Sequence, residues 1–126
     1  MKHLFPMLLL ISACVASAQT APVFACNLKA FQAEERRHHE ELSKRLVLAV
    51  ESRHELPDGY ALQLDSKKIS FIEVAQWVDG ERKCCPFFDF QLDLGAEGHG
   101  LRLSLKGREG VKAFIEAEFQ ALPPVT

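Results

Sequence analysis

Two short runs of alternating residues constrain this chain more than anything else in it. Phe88, Phe90, Leu92 and Leu94 alternate with Asp89, Gln91 and Asp93, and Leu101, Leu103 and Leu105 alternate with Arg102, Ser104 and Lys106. Side chains of a strand point to opposite faces in turn, so each run makes a strand with one greasy and one wet face. The Gly-rich stretch GAEGHG between them turns the chain back on itself as an antiparallel hairpin. A sheet with one apolar face needs a second layer over that face, and helices are the simplest cover.

Helical periodicity supplies the cover. Over residues 28–54, Leu28, Phe31, Leu42, Leu46, Ala49 and Val50 recur at helical spacing. The middle of this segment, Glu34 to Glu41, is two acids, two arginines, two histidines and two acids, which reads as a solvated face laced with ion pairs. His39 is the exception, because it falls three residues before Leu42 and seven before Leu46, near the apolar stripe. Leu56-Pro57-Asp58-Gly59 reads as a turn, with Pro presetting φ and Gly supplying a positive φ. Tyr60, Leu62 and Leu64 then alternate with Ala61, Gln63 and Asp65 as a half-buried strand.

Ser70 opens a second helix, with Glu73 three residues on as its capping box. Its expected apolar stripe is Phe71, Val74, Ala75 and Val78, with Trp77 on a flank of the core and Pro86 as the stop. Val111, Phe114, Ile115, Phe119 and Leu122 mark a closing helix ended by Pro123 and Pro124. The expected fold is α+β, in the order α-β-α-β-β-α, with a small antiparallel sheet and helices packed on one face.

A chain of 126 residues that is 48% hydrophobic and 25% charged fits one globular domain. Its formal net charge of -2 does not favour nucleic acid as a partner. No apolar run reaches the length of a transmembrane helix. The first residues read as a signal peptide, 1–18: Lys2 and His3, an apolar stretch from Leu4 to Ile11, and the small-residue site Ala16-Ser17-Ala18, leaving Gln19 as the first mature residue. That places the protein in the periplasm or outside the cell. Ile11-Ser12-Ala13-Cys14 offers a competing processing site, at which lipidation of Cys14 would anchor the domain to a membrane. Residues 19–27 are then a short tether, and residues 28–122 the single domain.

Four cysteines, Cys14, Cys26, Cys84 and Cys85, carry the chemistry that the sequence offers. Removal of the leader leaves three, an odd number in a compartment that permits disulfides. On a helix Glu81 faces Cys84 and Cys85 at i+3 and i+4. Thiolates suit soft cations, and a bound ion displaces the thiol proton by its own charge. As nucleophiles the pair is poorly placed, because a helix C-terminus and a nearby carboxylate both raise a thiol pKa. If the first two helices pack antiparallel, Cys26 before the first lies beside the pair that ends the second. Glu81 and His39 would then support the three sulfurs. The plain alternative is that these cysteines pack as small hydrophobes. The sequence has no GxSxG, P-loop or HExxH motif.

The stretches Ala25-Cys26-Asn27-Leu28, Glu55 to Tyr60, Glu81-Arg82-Lys83-Cys84-Cys85-Pro86-Phe87-Phe88 and Leu105 to Phe114 resemble a small family of bacterial proteins known only as hypothetical, with a shared E-x-x-C-C-P-F motif. The resemblance implies one compact domain and no reaction that can be named. It matches Cys26, Glu81, Cys84, Cys85 and Pro86, and His39 corresponds to the histidine of the first helix. This chain departs from the family by its export signal, which exposes the thiols to oxidation. Three readings follow. The first is a site for a soft metal or metalloid ion built from Cys26, Cys84, Cys85, Glu81 and His39. The second is a thiol–disulfide exchange protein using Cys84 or Cys85 with Cys26, in which the three sulfurs are one disulfide plus one free thiol, and the third an interaction domain with structural cysteines.

Overall fold

A computed structural model describes residues 24–98 and 100–119. The leader, the cleavage sites, Cys14, His99 and the chain from residue 120 onward lie outside these described residues. The α+β class and the antiparallel sheet hold, and the sheet has four strands in the order β1-β2-β4-β3. The elements run α1 (Ala33–Ala49), β1 (Val50–Leu56), β2 (Gly59–Leu64), α2 (Phe71–Cys84), β3 (Asp89–Leu94), β4 (Leu101–Lys106) and α3 (Val111–Glu118).

The first helix is therefore shorter than its periodicity implies. A one-turn segment at Leu28–Ala30 precedes it, and residues 50–56 leave it to form β1, a strand absent from the expected order. β1 and β2 pair antiparallel around Pro57 and Asp58, with Leu56 opposite Gly59. Gly59 is required there for a reason other than its φ: a Cβ would collide with the carbonyl oxygen of Leu105 on β4. The glycines with positive φ among the described residues are Gly100 and Gly110, the second at the N-cap of α3.

In register, Tyr60, Leu62 and Leu64 stand opposite Leu105, Leu103 and Leu101. The latter stand opposite Phe90, Leu92 and Leu94. This face carries the core. Leu62, Leu103, Leu105, Leu46, Val74, Trp77 and Ile115 are fully buried together, and Phe90 and Leu92 pack against them half-buried. Full burial of such a side chain contributes about 1.5–3 kcal/mol. β1 joins the same face with charges. Arg53 stands opposite Leu62 and Glu55 opposite Tyr60. The Arg53 guanidinium lies over the Tyr60 ring at 4.8 Å, while Glu55 pairs with Lys112 of α3 and the Tyr60 hydroxyl donates to Glu116.

α2 buries Val74, Trp77, Glu81 and Cys84. Trp77 sits in the centre of the core and not on its flank, and Phe71 is exposed. The stripe is rotated from its apolar reading because two of its four buried positions, Glu81 and Cys84, serve the site and are not simple hydrophobes. Ser70 caps the helix as expected: its Oγ accepts from the Glu73 N–H at 3.2 Å, and the Glu73 carboxylate accepts from the Ser70 N–H at 2.9 Å. His54, expected at a helix end, lies on β1 with its ring 3.5 Å from Ser52 Oγ. No helix among the described residues is long and apolar enough to cross a membrane.

Candidate functional site

The site forms where the start of the described chain meets the end of α2. The Asn27 N–H donates to the Cys84 carbonyl at 2.8 Å, so the backbone beside Cys26 is pinned to the last turn of α2. Phe24 anchors the same segment from its other side. Its ring meets Phe87 edge-on at 5.0 Å, and the Arg108 guanidinium covers it at 4.8 Å. Cys26 reaches Cys85 in this arrangement, and the two form a disulfide with a Cα separation of 4.7 Å, normal for such a bridge. The bridge ties together residues 59 apart in sequence.

Cys84 keeps its thiol. The thiol is buried and donates to Glu81 Oε2 at 3.0 Å. Its sulfur lies 3.5 Å from that of Cys85. Burial pushes the Cys84 pKa up to about 12, and the hydrogen bond to the Glu81 carboxylate and that group's negative charge push the same way. The helix C-terminus works in the same sense. Cys84 is thus a neutral thiol at physiological pH, as the helix-end placement implied.

Glu81 is one of three buried polar residues named in the core, with His39 and Ser104. A buried carboxylate needs partners, and Oε2 has two: the Cys84 thiol and His39 Nε2, the latter at 3.5 Å. The His39 ring is held flat between two aromatic rings, Phe31 at 5.0 Å and Trp77 at 6.0 Å. It also rests on Gly80, where any Cβ would strike Nδ1. Ser43 locks the backbone of this turn, donating to the His39 carbonyl at 2.9 Å and accepting from Trp77 Nε1 at 2.9 Å. Phe31, Ser43, Trp77 and Gly80 escaped the sequence reading as site residues. The available signal was Gly80, a glycine in a helix interior, which costs stability unless something packs against it.

The five expected residues therefore meet. One ligand atom each from Cys26, Glu81, Cys84 and Cys85 falls within 4.8 Å of the others, and His39 joins through Glu81. The expectation of three free sulfurs requires correction, because two of them are bonded to each other. A bridged sulfur is no thiolate and makes a poor ligand. The placed backbone gives the physical reason: the contact of Asn27 with the end of α2 sets the Cys26 and Cys85 Cα atoms 4.7 Å apart, within bridging distance.

Cys26 is the least buried member of the cluster. It opens with Cys84, Glu81 and His39 into a surface hollow of about 620 Å³, walled mainly by apolar groups such as Phe24, Leu28 and Phe114. Cys26 and Cys84 both line this hollow, and Cys85 is not among its lining residues. No protein-family model, no curated protein and no solved structure matches this chain.

Proposed function

We propose that this chain is an exported thiol–disulfide exchange protein whose redox pair is Cys26–Cys85. The observation that carries the reading is a disulfide between Cys26, the less buried partner on the edge of a surface hollow, and buried Cys85, with a third, buried cysteine, Cys84, whose sulfur lies 3.5 Å from that of Cys85. Exchange begins when a thiolate of a partner dithiol attacks Cys26 Sγ. A sulfur–sulfur bond forms between partner and Cys26, the Cys26–Cys85 bond breaks, and Cys85 leaves with the electron pair and takes a proton. The partner's second thiolate then attacks its own sulfur in the mixed disulfide and releases Cys26 as a thiol. Two electrons and two protons pass to the protein, and the partner leaves oxidised. A more oxidising disulfide reverses the steps and resets the bridge.

Counting thiols tests this. Titrated with a dithiol in the folded state, the protein gains two thiols, and a Cys26→Ser variant forms no mixed disulfide in the hollow. A bridge that opens only in denaturant is a structural staple, and that result would overturn the proposal in favour of an interaction domain with structural cysteines.

Soft-ion binding is a second reading, favoured by the four donor atoms within 4.8 Å. It applies only to the reduced protein. Three sulfurs and Glu81 would hold the ion, and His39 would orient the carboxylate. Adding Cd(II) or Zn(II) to protein reduced with a phosphine tests it: retention of the ion by the reduced form and not by the bridged form supports it, and equal loss from both on gel filtration removes it.

A further inference from the structure

Cys84 is the one sulfur that the exchange just described does not use. Its sulfur lies 3.5 Å from Cys85 Sγ, and Cys26 Sγ falls within 4.8 Å of both. The backbone hydrogen bond from Asn27 to the carbonyl of Cys84 ties the residue next to Cys26 to Cys84 itself. This contact sets the backbone of Cys26 alongside that of Cys84, while their sulfurs lie within 4.8 Å of each other. Cys26 is thus placed to pair with either member of the Cys84-Cys85 dipeptide.

We infer that Cys84 is an internal attacking thiol, which displaces Cys85 from the bridge and gives a second native pairing, Cys26–Cys84. The inference rests on the exchange reading and adds a residue to it. The step is an isomerisation and needs no oxidant. Cys84 is neutral at rest, and its proton passes to Glu81 Oε2, to which it already donates at 3.0 Å, as it attacks. Exchange at sulfur needs the three sulfurs in line with Cys26 in the middle, so the Cys84 side chain first turns out of its 3.5 Å contact with Cys85; its sulfur then attacks Cys26 Sγ, and the Cys26–Cys84 bond forms as the Cys26–Cys85 bond breaks. The electron pair leaves on Cys85 Sγ, which takes the proton back from Glu81, whose carboxylate lies within 4.8 Å of it. Protons, electrons and net charge are the same before and after.

The remaining pairing, Cys84 with Cys85, is disfavoured. Adjacent residues close a small ring only by distorting the peptide between them, and here that peptide is fixed by the bond from the Cys85 N–H to the Glu81 carbonyl at 2.6 Å. Glu81 touches the reacting sulfur and is on this account a catalytic residue. His39, 3.5 Å from Glu81, acts through it as a positioning residue.

Single-cysteine removals test the pairing. The folded Cys85→Ser protein, oxidised with glutathione disulfide, acid-quenched, denatured and alkylated, takes up no label because Cys26 and Cys84 are bridged within one chain. Two labels, or a dimer linked between chains, would overturn the inference. The Cys26→Ser protein keeps both Cys84 and Cys85 labelled. Closure of that pair while Cys85→Ser stays open would overturn it as well.

Because Cys85→Ser could fold poorly, the intact protein gives a second measurement. Held in a glutathione buffer, quenched and fragmented, it shows a fraction labelled at Cys85 and not Cys84. Label confined to Cys84 at every redox poise rules the isomerisation out. The Cys84→Ser protein separates the two levels. If its Cys26–Cys85 bridge still opens to a dithiol while no molecule of the intact protein carries label at Cys85 and not at Cys84, exchange stands and the internal step falls. If that bridge never opens in the folded state, the exchange reading falls with it.

Discussion

The two ends of α2 treat an acidic group in opposite ways. At the N-terminus Glu73 faces water, takes the Ser70 N–H and pairs with Arg45 of α1. Its carboxyl is pushed down to about 2, first by the Arg45 hydrogen bond and then by the cap. At the C-terminus the Cys84 thiol is enclosed and pushed up to about 12, first by burial and then by Glu81. The helix dipole favours the anion at the first end and opposes it at the second. One end is a stability device built from charge in water. The other keeps a carboxylate, an imidazole and a thiol in a nearly dry pocket, where each depends on the next for a partner.

Trp77 underlies the second end, since its ring stacks on His39 and its N–H donates to Ser43. Replacing it by Ala is the strongest way to break the comparison. The loss should be about 3–5 kcal/mol, read as a drop in urea midpoint, and the Cys84 thiol should become reactive in the folded state. A fall in stability with Cys84 still inert would show that the site does not lean on the tryptophan.

Removing the bridge with Cys26→Ser should cost about 2–5 kcal/mol, by release of a long loop in the unfolded chain. Here calorimetry is the check. The Ser70→Glu73→Arg45 end should not feel the change, so the acid limb of stability should keep its shape.

Titration separates the ends. Glu73 is depressed from 4.5 to about 2, so its contribution is present above 4.5 and fades as pH falls toward 2, where the folded state must take up a proton. Cys84 is raised from 9.0 to about 12. Below 9 both states hold the thiol proton, and between 9 and 12 the unfolded state loses it first, so stability falls as pH rises. Tyr60, raised from 10.0 to about 12 by its bond to Glu116, adds to the same alkaline loss. Melting curves of Cys84→Ser should therefore show a shallower alkaline limb than the parent, and those of Glu73→Gln a shallower acid limb. Parent-like limbs in both variants would mean that the two groups are not tuned as described.

The smallest expected effect is Ser70→Ala, about 1 kcal/mol from the lost cap, with no change in thiol count or exchange rate. Slower exchange in that variant would show that the ends are coupled after all.

The same helix shows what sequence reveals and what it hides. Its cap was legible because Ser70 and Glu73 act across three residues, a local rule. The Glu81, Cys84 and Cys85 grouping was legible for the same reason, and the approach of Cys26 followed from antiparallel helices. The pairing was not legible, because Cys26 stands close to both Cys84 and Cys85 and only the placed backbone selects Cys85. β1 was hidden for a different reason. Its positions on the core-side face are Arg53, which lies over the Tyr60 ring, and the exposed Glu55, which pairs with Lys112, so this edge strand carries no apolar alternation to read. Leu46, Ala49 and Val50 meanwhile continue the helical spacing into it. Trp77 was placed on a flank because a stripe counted from apolar residues alone could not include Glu81.

The contact between Asn27 and the Cys84 carbonyl, together with the seat of Phe24 on Phe87, does not depend on the covalent bond beside it. When that bond opens, the segment bearing Cys26 stays docked, and its thiol remains a tethered neighbour of the other two sulfurs. Reclosure still needs an oxidising disulfide, which first forms a mixed disulfide with one thiol of the pair. The second thiol then displaces that partner at an effective concentration set by docking, about millimolar or above for short tethers. The strength of one main-chain contact and one aromatic seat thus sets how fast that closing step is and how briefly the mixed disulfide lives.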